Sequence, residues 1–235
     1  MSPSLLNKVV LITGGARGLG RYMADAMARE GAAVIVTSRQ ASPDAALEPR
    51  FGTVQEAFLE ITEEASVHAL FSKIDAAFSR LDVLVNNAGI GVFKPVVDTT
   101  LDEWNEIFAT NVTGLFLCSK AAFSRMKTQG GGRIINIASV SGYIPIVENG
   151  VYGASKYAVR GFSQILNEEG KHDNIRVSIV SPGAVYTDIW DGRDGFLPAD
   201  MLQPEDVAET VLDIARRPLH VRIDEVKILP PKGVL

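Results

Sequence analysis

Cysteine and histidine are scarce in this chain of 235 residues, which has one cysteine and three histidines. A single cysteine, Cys118, cannot form an internal disulfide, so the sequence is typical of a protein from a reducing compartment such as the cytoplasm. The histidines His68, His172 and His220 lie far apart and show no metal-ligand spacing. We therefore expect no resident metal and a cytoplasmic location.

Long apolar runs and an excess of positive charge are missing as well. No segment approaches the roughly 18 continuous apolar residues that span a bilayer. The first apolar run leads into glycines, which suits a β-strand better than a signal peptide. Acidic residues number 28 against 23 lysines and arginines, and the net charge of −5 argues against a nucleic-acid footprint. We expect neither a membrane segment nor a nucleic-acid partner.

Short runs rich in valine and isoleucine recur along the chain without the alternation of half-buried strands. Such runs are typical of parallel strands that helices cover on both faces. The predicted strands are residues 8–13, 32–37, 57–61, 82–87, 133–139, 176–181 and 225–229. The predicted helices are residues 19–30, 63–80, 101–128, 152–169 and 204–216. This alternation predicts an α/β fold, a single Rossmann-type domain over residues 1–235 with a doubly wound parallel sheet of about seven strands.

A glycine-rich turn joins the first predicted strand to the first predicted helix. A dinucleotide pyrophosphate needs such a turn, because the backbone must approach closely and helix N–H groups must point at the anion. The strand–turn–helix context favours a cofactor loop over a simple turn, and no Gly-Lys-Ser/Thr suggests a nucleoside triphosphatase. The predicted contacts in this loop are Gly14, Ala16, Arg17, Gly18, Leu19 and Gly20.

The end of the second predicted strand bears on the choice between NAD and NADP. A carboxylate there would bind the ribose 2′-hydroxyl of NAD. The sequence has Ser38 and Arg39 instead, with no acid at the strand end. An arginine can pair with a 2′-phosphate, and Arg17 could assist from the glycine loop; solvated surface arginines are the alternative. NADP(H) is favoured over NAD(H).

Tyr152 and Lys156 stand one turn apart on a predicted helix and share one face of it. One interpretation is a surface helix with an aromatic ring and a solvated lysine. The other is a proton donor whose pKa a neighbouring ammonium lowers from about 10 toward the working range. The pair alone leaves both interpretations open.

Six motifs in a fixed order resemble those of the short-chain dehydrogenase/reductase family over nearly the whole chain. They are TGGARGLG (13–20), NNAG (86–89), NVTG (111–114), NIASVSG (136–142), YGASK (152–156) and SPGAVYT (181–187). The resemblance implies an NADP-preferring enzyme of the carbonyl reductase type, which reduces a carbonyl to an alcohol or performs the reverse. It implies Tyr152 as the general acid and base, Lys156 as its electrostatic partner, Ser139 as a second donor to the substrate oxygen, and Asn111 as the holder of a proton-relay water.

The same resemblance implies cofactor contacts beyond the glycine loop and the second strand. The asparagine-rich motif would lie beside the adenine ribose, the turn after the third strand at the adenine edge, and the last motif at the nicotinamide. The implied residues are Glu60, Ile61, Asn87, Ala88, Gly89, Thr110, Tyr152, Lys156, Pro182, Gly183, Val185 and Thr187.

Substrate contacts are less defined by the sequence. An apolar wall of Phe93, Tyr143, Ile144, Ile146 and Trp190 is one interpretation, and packing in the core or at a subunit contact is the other. Glycines and polar residues punctuate residues 188–203, which predicts a substrate loop. We expect a small carbonyl or alcohol substrate and a homodimer or homotetramer. The alternative functions are a 3-oxoacyl thioester reductase and a non-catalytic regulator that senses NADPH.

Overall fold

A computed structural model describes residues 5–187 and 197–233, and its centre is one parallel sheet of seven strands. The strands are β1 Val9–Ile12, β2 Ala33–Ser38, β3 Thr53–Phe58, β4 Val83–Asn86, β5 Gly132–Ile137, β6 Ile175–Pro182 and β7 Glu225–Ile228. Their order is β3-β2-β1-β4-β5-β6-β7, and every neighbouring pair is parallel. Strands β2 and β3 are therefore added on one side of β1, and β4 to β7 on its other side. The carboxyl ends of the strands at such a switch in strand order are where open α/β sheets bind ligands.

Helices cover both faces of the sheet. They are α1 Gly18–Arg29, α2 Glu64–Phe78, α3 Leu101–Phe108, α4 Leu115–Gln129, α5 Gly150–Gly170 and α6 Pro204–Ala215. One core layer packs α1 and α6 against the sheet, and the other packs α2, α4 and α5 against it. The prediction of a doubly wound α/β fold with seven parallel strands is confirmed.

The third strand begins four residues earlier than the sequence predicted. The prediction placed it at residues 57–61, whereas β3 is Thr53–Phe58. In the segment Thr53–Glu56 three of the four residues are polar and none is fully buried, because β3 lies at the edge of the sheet and has a neighbouring strand on one side only. A search for apolar runs finds strands that are buried on both faces and misses the polar part of an edge strand.

The predicted helix over residues 101–128 is a continuous helical run with a π-helical turn, Ala109–Gly114, between α3 and α4. The run Leu101–Gln129 is long and apolar enough to cross a membrane by length and composition alone. Its buried residues, including Leu117, Cys118, Ala122 and Met126, pack against the sheet. It is thus accounted for as a core helix of this fold.

Candidate active site

The glycine loop has the geometry of an anion cradle. Gly14 and Gly18 have φ of 62° and 53°, in the left-handed region that favours glycine. A Cβ on Gly20 would lie 2.6 Å from the Gly14 carbonyl oxygen, so only glycine lets α1 start this close to the loop. The first turn of α1 holds no acidic residue, and Arg17 at its N-cap makes no side-chain capping hydrogen bond. The free N–H groups at this helix terminus fit the pyrophosphate of a dinucleotide.

Thr13 and Asn87 hold this cradle against β4. The Thr13 hydroxyl accepts hydrogen bonds from the backbone N–H groups of Asn87 and Ala88, both at 3.1 Å. The Asn87 amide donates in turn to the carbonyls of Thr13 and Gly14, at 3.1 and 3.0 Å. Asn87 was predicted as a cofactor contact, and its amide here also fixes the glycine loop. Thr13 was not predicted as a residue of the site, although a threonine directly before the first glycine indicates a side chain that can brace such a turn.

Ser38 is the last residue of β2, one residue beyond the predicted strand, and its hydroxyl makes hydrogen bonds within the protein. It donates to the Glu56 carboxylate of β3 at 2.5 Å and accepts from the backbone N–H groups of Gln40 and Ala41, both at 3.1 Å. The sequence showed no acid at the end of β2, yet the neighbouring strand brings one there. Glu56 was not predicted as a residue of this region, because the predicted third strand began at residue 57 and so excluded it.

Arg39 and Arg17 are both exposed, and neither forms an ion pair or a side-chain hydrogen bond within residues 5–187 and 197–233. Elsewhere in the described chain most arginines pair with a carboxylate or a carbonyl, as Arg21 does with Asp25. Two free guanidinium groups, one in the glycine loop and one directly after β2, are available to a bound anion.

The turn after β3, which was predicted to lie at the adenine edge, packs against the π-helical turn. The Glu60 carboxylate accepts from the hydroxyl and the backbone N–H of Thr62, at 2.9 and 3.3 Å. Ile61 is buried, and a Cβ on Gly114 would lie 2.8 Å from its side chain. Glu60 thus stabilises its own turn, and Ile61 packs on the helix that carries Thr110.

Ser139, Tyr152 and Lys156 line one pocket of about 610 Å³ at the carboxyl ends of β4, β5 and β6. Ser139 follows β5 and caps a short turn by accepting from the backbone N–H of Ser141 at 3.2 Å. Tyr152 and Lys156 lie in the first two turns of α5, and the ammonium is 5.5 Å from the centre of the phenol ring. The structure therefore brings these three predicted residues together.

The environment of Tyr152 raises its pKa above the usual value of 10.0. Burial is the largest cause, and a hydrogen bond with Ser139 acts in the opposite direction. In the folded protein, burial outweighs the lowering of this pKa that was expected from Lys156, whose ammonium donates to the carbonyl of Ile137 at 3.0 Å. The phenol is consequently protonated at neutral pH, in the form of a proton donor.

Lys156 shows the opposite shift for the same reason. Its side chain is 5% exposed, and burial lowers its pKa from 10.5 to about 8. Its one described hydrogen-bond partner is a carbonyl oxygen, and no carboxylate pairs with it in the described chain. Its protonation therefore changes close to neutral pH.

Asn111 lies in the π-helical turn and is buried behind the pocket. Its side chain accepts from the Ile90 N–H at 2.8 Å and donates to the Ile90 carbonyl and the Ser155 hydroxyl, at 2.9 and 3.1 Å. Its amide therefore fixes the loop after β4 and the helix α5 against each other. A water held by this residue would have to use its backbone or the remaining lone pair of the amide oxygen.

The remaining lining residues include several that were predicted for the nicotinamide side and part of the predicted apolar wall. Phe93 and Ile146 line the pocket, and the Phe93 ring is 5.2 Å from that of Tyr152. Tyr143 and Ile144 are absent from the described lining, and Trp190 lies outside the described residues. Residues 188–196 of the predicted substrate loop also fall outside them. The predicted cofactor residues that line the pocket are Leu19, Asn87, Gly89, Tyr152, Lys156, Pro182, Gly183, Val185 and Thr187.

The chain is similar to known dehydrogenases and oxidoreductases over nearly its whole length. A family model described as short chain dehydrogenase matches residues 8–195. An uncharacterized oxidoreductase of Staphylococcus saprophyticus is 31% identical, over 96% of this chain and 98% of its own. A metagenomic short-chain oxidoreductase in complex with NADP superposes with a TM-score of 0.81 at 28% identity, covering 97% and 98% of the two chains. An alcohol dehydrogenase from the archaeon Thermococcus sibiricus, complexed with 5-hydroxy-NADP, gives 0.81 at 27% identity, covering 94% and 95%.

Proposed function

Because the chain belongs to the short-chain dehydrogenase/reductase family and is an oxidoreductase of that family, we propose that it reduces a small carbonyl compound to an alcohol, or catalyses the reverse, with NADP(H). The observation that carries the proposal is the convergence of Ser139, Tyr152 and Lys156 on one pocket beside the glycine loop. The likeness to two structures that hold NADP or an NADP analogue supports the choice of cofactor.

The cradle of Gly14, Gly18 and Gly20 would hold the cofactor pyrophosphate, and bound NADPH would supply the hydride. Arg17 and Arg39 would pair with the 2′-phosphate. Val185 and Thr187 would lie at the nicotinamide end of the pocket, where both are among its lining residues. These assignments are supported by the free N–H groups at the start of α1 and by the guanidinium groups of Arg17 and Arg39, which form no ion pair within the described residues.

The protein's own groups would perform the proton transfer. The Tyr152 phenol, protonated at neutral pH, would donate its proton to the carbonyl oxygen of the substrate. The Ser139 hydroxyl would donate a hydrogen bond to the same oxygen and keep it near the phenol. Lys156, when charged, would stabilise the phenolate that remains, and Asn111 would keep the helix that carries both residues in place through Ser155.

The substrate pocket favours an uncharged compound. Apart from Lys156, the one charged residue in the described lining is Glu148. In the described lining, Lys156 beside the Tyr152 ring is the one cation that a carrier rich in phosphate could pair with, so the pocket gives no particular support to a 3-oxoacyl thioester on coenzyme A. A regulator without turnover is not favoured either, because the residues for catalysis are all present and three of them line the pocket. A homodimer or homotetramer stays a prediction.

The test is the oxidation of NADPH and of NADH, followed by the loss of absorbance of the reduced nicotinamide. The substrate panel contains ketones, aldehydes, diketones and 3-oxoacyl thioesters. Turnover of an uncharged carbonyl with NADPH is expected. Tight binding of NADPH without turnover on any member of the panel would contradict the proposal and favour the regulator.

The pH dependence of carbonyl reduction is expected to follow the protonation of the Lys156 side chain. Its pKa of about 8 means that the protonated form is lost above that pH, so kcat/KM for NADPH falls as pH rises through about 8. Because the pKa of Tyr152 is raised, the phenol does not titrate in this range. In Lys156→Arg the inflection is expected to disappear, since a guanidinium stays charged. A profile that is flat from pH 7 to 9.5 (roughly the range in which this shift can be seen) would contradict the role of Lys156.

Glu56 is expected to weaken the binding of NADPH. Its carboxylate lies 2.5 Å from the Ser38 hydroxyl, where a 2′-phosphate would approach, and like charges repel. Glu56→Gln is therefore expected to tighten NADPH about fivefold, an effect of about 1 kcal/mol for exposed charges, and to leave NADH nearly unchanged. Fluorescence titration of both cofactors measures this. Glu209→Gln, an exposed acid on α6, serves as the control and should change neither constant.

A further inference from the structure

Arg160 connects three parts of the chain next to the candidate site without lining the pocket. It lies on α5, four residues beyond Lys156 and eight beyond Tyr152, so the three side chains follow one face of the helix. Its guanidinium donates to the Gly142 carbonyl at 2.8 Å and to the Glu225 carboxylate of β7 at 2.7 and 3.4 Å. It does not belong to the described lining of the pocket, so any effect on catalysis must act through other residues.

The carbonyl that Arg160 binds belongs to the turn that begins at Ser139. Residues Val140–Gly142 form a single helical turn, in which Gly142 N–H donates to the Ser139 carbonyl at 3.0 Å. A Cβ on Gly142 would lie 2.9 Å from the Lys156 carbonyl, so the turn packs directly on the backbone of α5. The turn therefore touches the helix at the lysine of the site and is tied to it again by Arg160.

The aromatic ring of Tyr143 completes this connection. The central carbon of the Arg160 guanidinium lies 3.5 Å from the centre of the ring, and the Lys227 ammonium of β7 lies 4.1 Å from it. A cation at this distance from an aromatic ring is attracted to its π-system. Tyr143 was predicted as part of the substrate wall, and the structure instead places it between two cations that hold the end of the Ser139 turn.

We propose that Arg160 is a positioning residue, which fixes the segment 139–143 to α5 and so keeps the Ser139 hydroxyl in register with the Tyr152 phenol. This inference rests on the proposed function, because register between these two groups has a kinetic meaning only in an enzyme that uses both. The hydrogen bond between Ser139 and Tyr152 opposes the effect of burial on the phenol. Loosening the turn should therefore change both the rate and the titration of Tyr152.

Arg125, which lies on α4 and outside the described lining of the pocket, offers a closely matched control. It pairs with Asp75 at 2.6 to 2.9 Å, donates to the Ala121 carbonyl at 3.0 Å, and lies 4.7 Å from the centre of the Phe71 ring. Arg125→Ala removes the same kinds of contact as Arg160→Ala: a carboxylate pair, a backbone carbonyl bond and a cation above a ring. The two variants separate a general loss of stability from an effect on the site.

The experiment measures kcat, KM, the NADPH dissociation constant and the melting temperature of both alanine variants. Arg160→Ala is expected to lower kcat about tenfold or more, because small displacements of a catalytic group are costly, and to leave NADPH binding within about twofold. In the alcohol-oxidising direction, the inflection of kcat with pH should move to higher pH, since Tyr152 loses the contact that lowers its pKa. Arg125→Ala should show a lowered melting temperature only, and Arg160→Lys should recover part of kcat.

Equal kinetics and equal pH profiles in the two alanine variants would overturn the proposal. If Arg160→Ala does not fold, Tyr143→Leu and Glu225→Gln each remove one side of the same connection and carry the same expectation. Amide hydrogen exchange of residues 139–143 gives a readout that needs no turnover, and it should rise in Arg160→Ala but not in Arg125→Ala. If the unaltered protein proves to have no activity, the proposed function fails, and unchanged exchange in this segment would separately contradict the role of Arg160.

Discussion

Replacement of Tyr152 by phenylalanine is expected to lower kcat for carbonyl reduction by about a thousandfold, within the range of 100- to 10,000-fold that a positioned general acid contributes. The variant keeps the ring, which packs 5.2 Å from that of Phe93, and removes the hydroxyl. The substrate oxygen would then receive its proton from water. The dissociation constant of NADPH should stay within about twofold, because the glycine cradle and both free arginines are untouched.

Tyr157 provides the control for this substitution. It lies on the same helix, 47% exposed, and Tyr157→Phe removes an equivalent hydroxyl away from the pocket. Steady-state rates and a fluorescence titration of NADPH, measured on both variants, separate a chemical effect from an effect on the helix. Retained turnover in Tyr152→Phe would mean that another group donates the proton, and a similar loss in Tyr157→Phe would assign the effect to folding.

The strand, glycine turn and helix that frame the site could be predicted from the sequence, because each depends on residues that are neighbours in the chain. Val10 and Leu11 lie in an apolar run, Gly14 and Gly18 need left-handed backbone, and the helix follows directly. Each of these features is determined by residues within a few positions of one another. Parallel strands then bring their carboxyl ends to one edge of the sheet whatever their separation along the chain. Ser139 follows β5 and Tyr152 lies in the first turn of the next long helix, α5, so both lie at that edge.

Contacts between neighbouring edge segments could not be predicted in this way. Glu56 reaches Ser38 because β2 and β3 pair with Val36 opposite Glu56, and the polar start of β3 has no apolar signal. The role of Tyr143 was missed for a related reason. Its ring meets Arg160 and Lys227, which come from a helix and an edge strand far away in sequence. Strand register and side-chain direction at a sheet edge depend on tertiary packing, so they cannot be predicted from the propensities of neighbouring residues in the sequence.

The pKa of Tyr152 illustrates a further limit. From the sequence, a lysine one turn away suggested stabilisation of the phenolate, whereas burial is the larger effect in the folded protein and acts on both groups. Burial disfavours the charged form of each, so the phenol keeps its proton and the ammonium releases its proton more readily. The degree of burial is a property of the whole fold, so it could not be predicted from the four-residue spacing between Tyr152 and Lys156.

Substitution of Arg39 by aspartate is expected to lower the preference for NADPH over NADH by about a hundredfold or more. Arg39 directly follows β2, is exposed, and forms no ion pair within the described residues, so its charge is available to a 2′-phosphate. A hydrogen bond to a charged group contributes about 1.5 to 3 kcal/mol, and the new carboxylate adds repulsion next to that of Glu56. The same carboxylate can accept a hydrogen bond from the ribose 2′-hydroxyl of NADH, so binding of NADH should improve.

The measurement is the ratio of kcat/KM for the two cofactors, with the dissociation constants determined beside it. Arg29→Asp, at the far end of α1, introduces the same change of charge away from the glycine loop and controls for the field of the whole protein. High salt should reduce the preference of the unaltered protein for NADPH and affect Arg39→Asp less, because screening weakens an exposed arginine–phosphate pair. An unchanged cofactor ratio in Arg39→Asp would show that Arg39 does not face the 2′-position, and the choice of cofactor would then rest with Arg17.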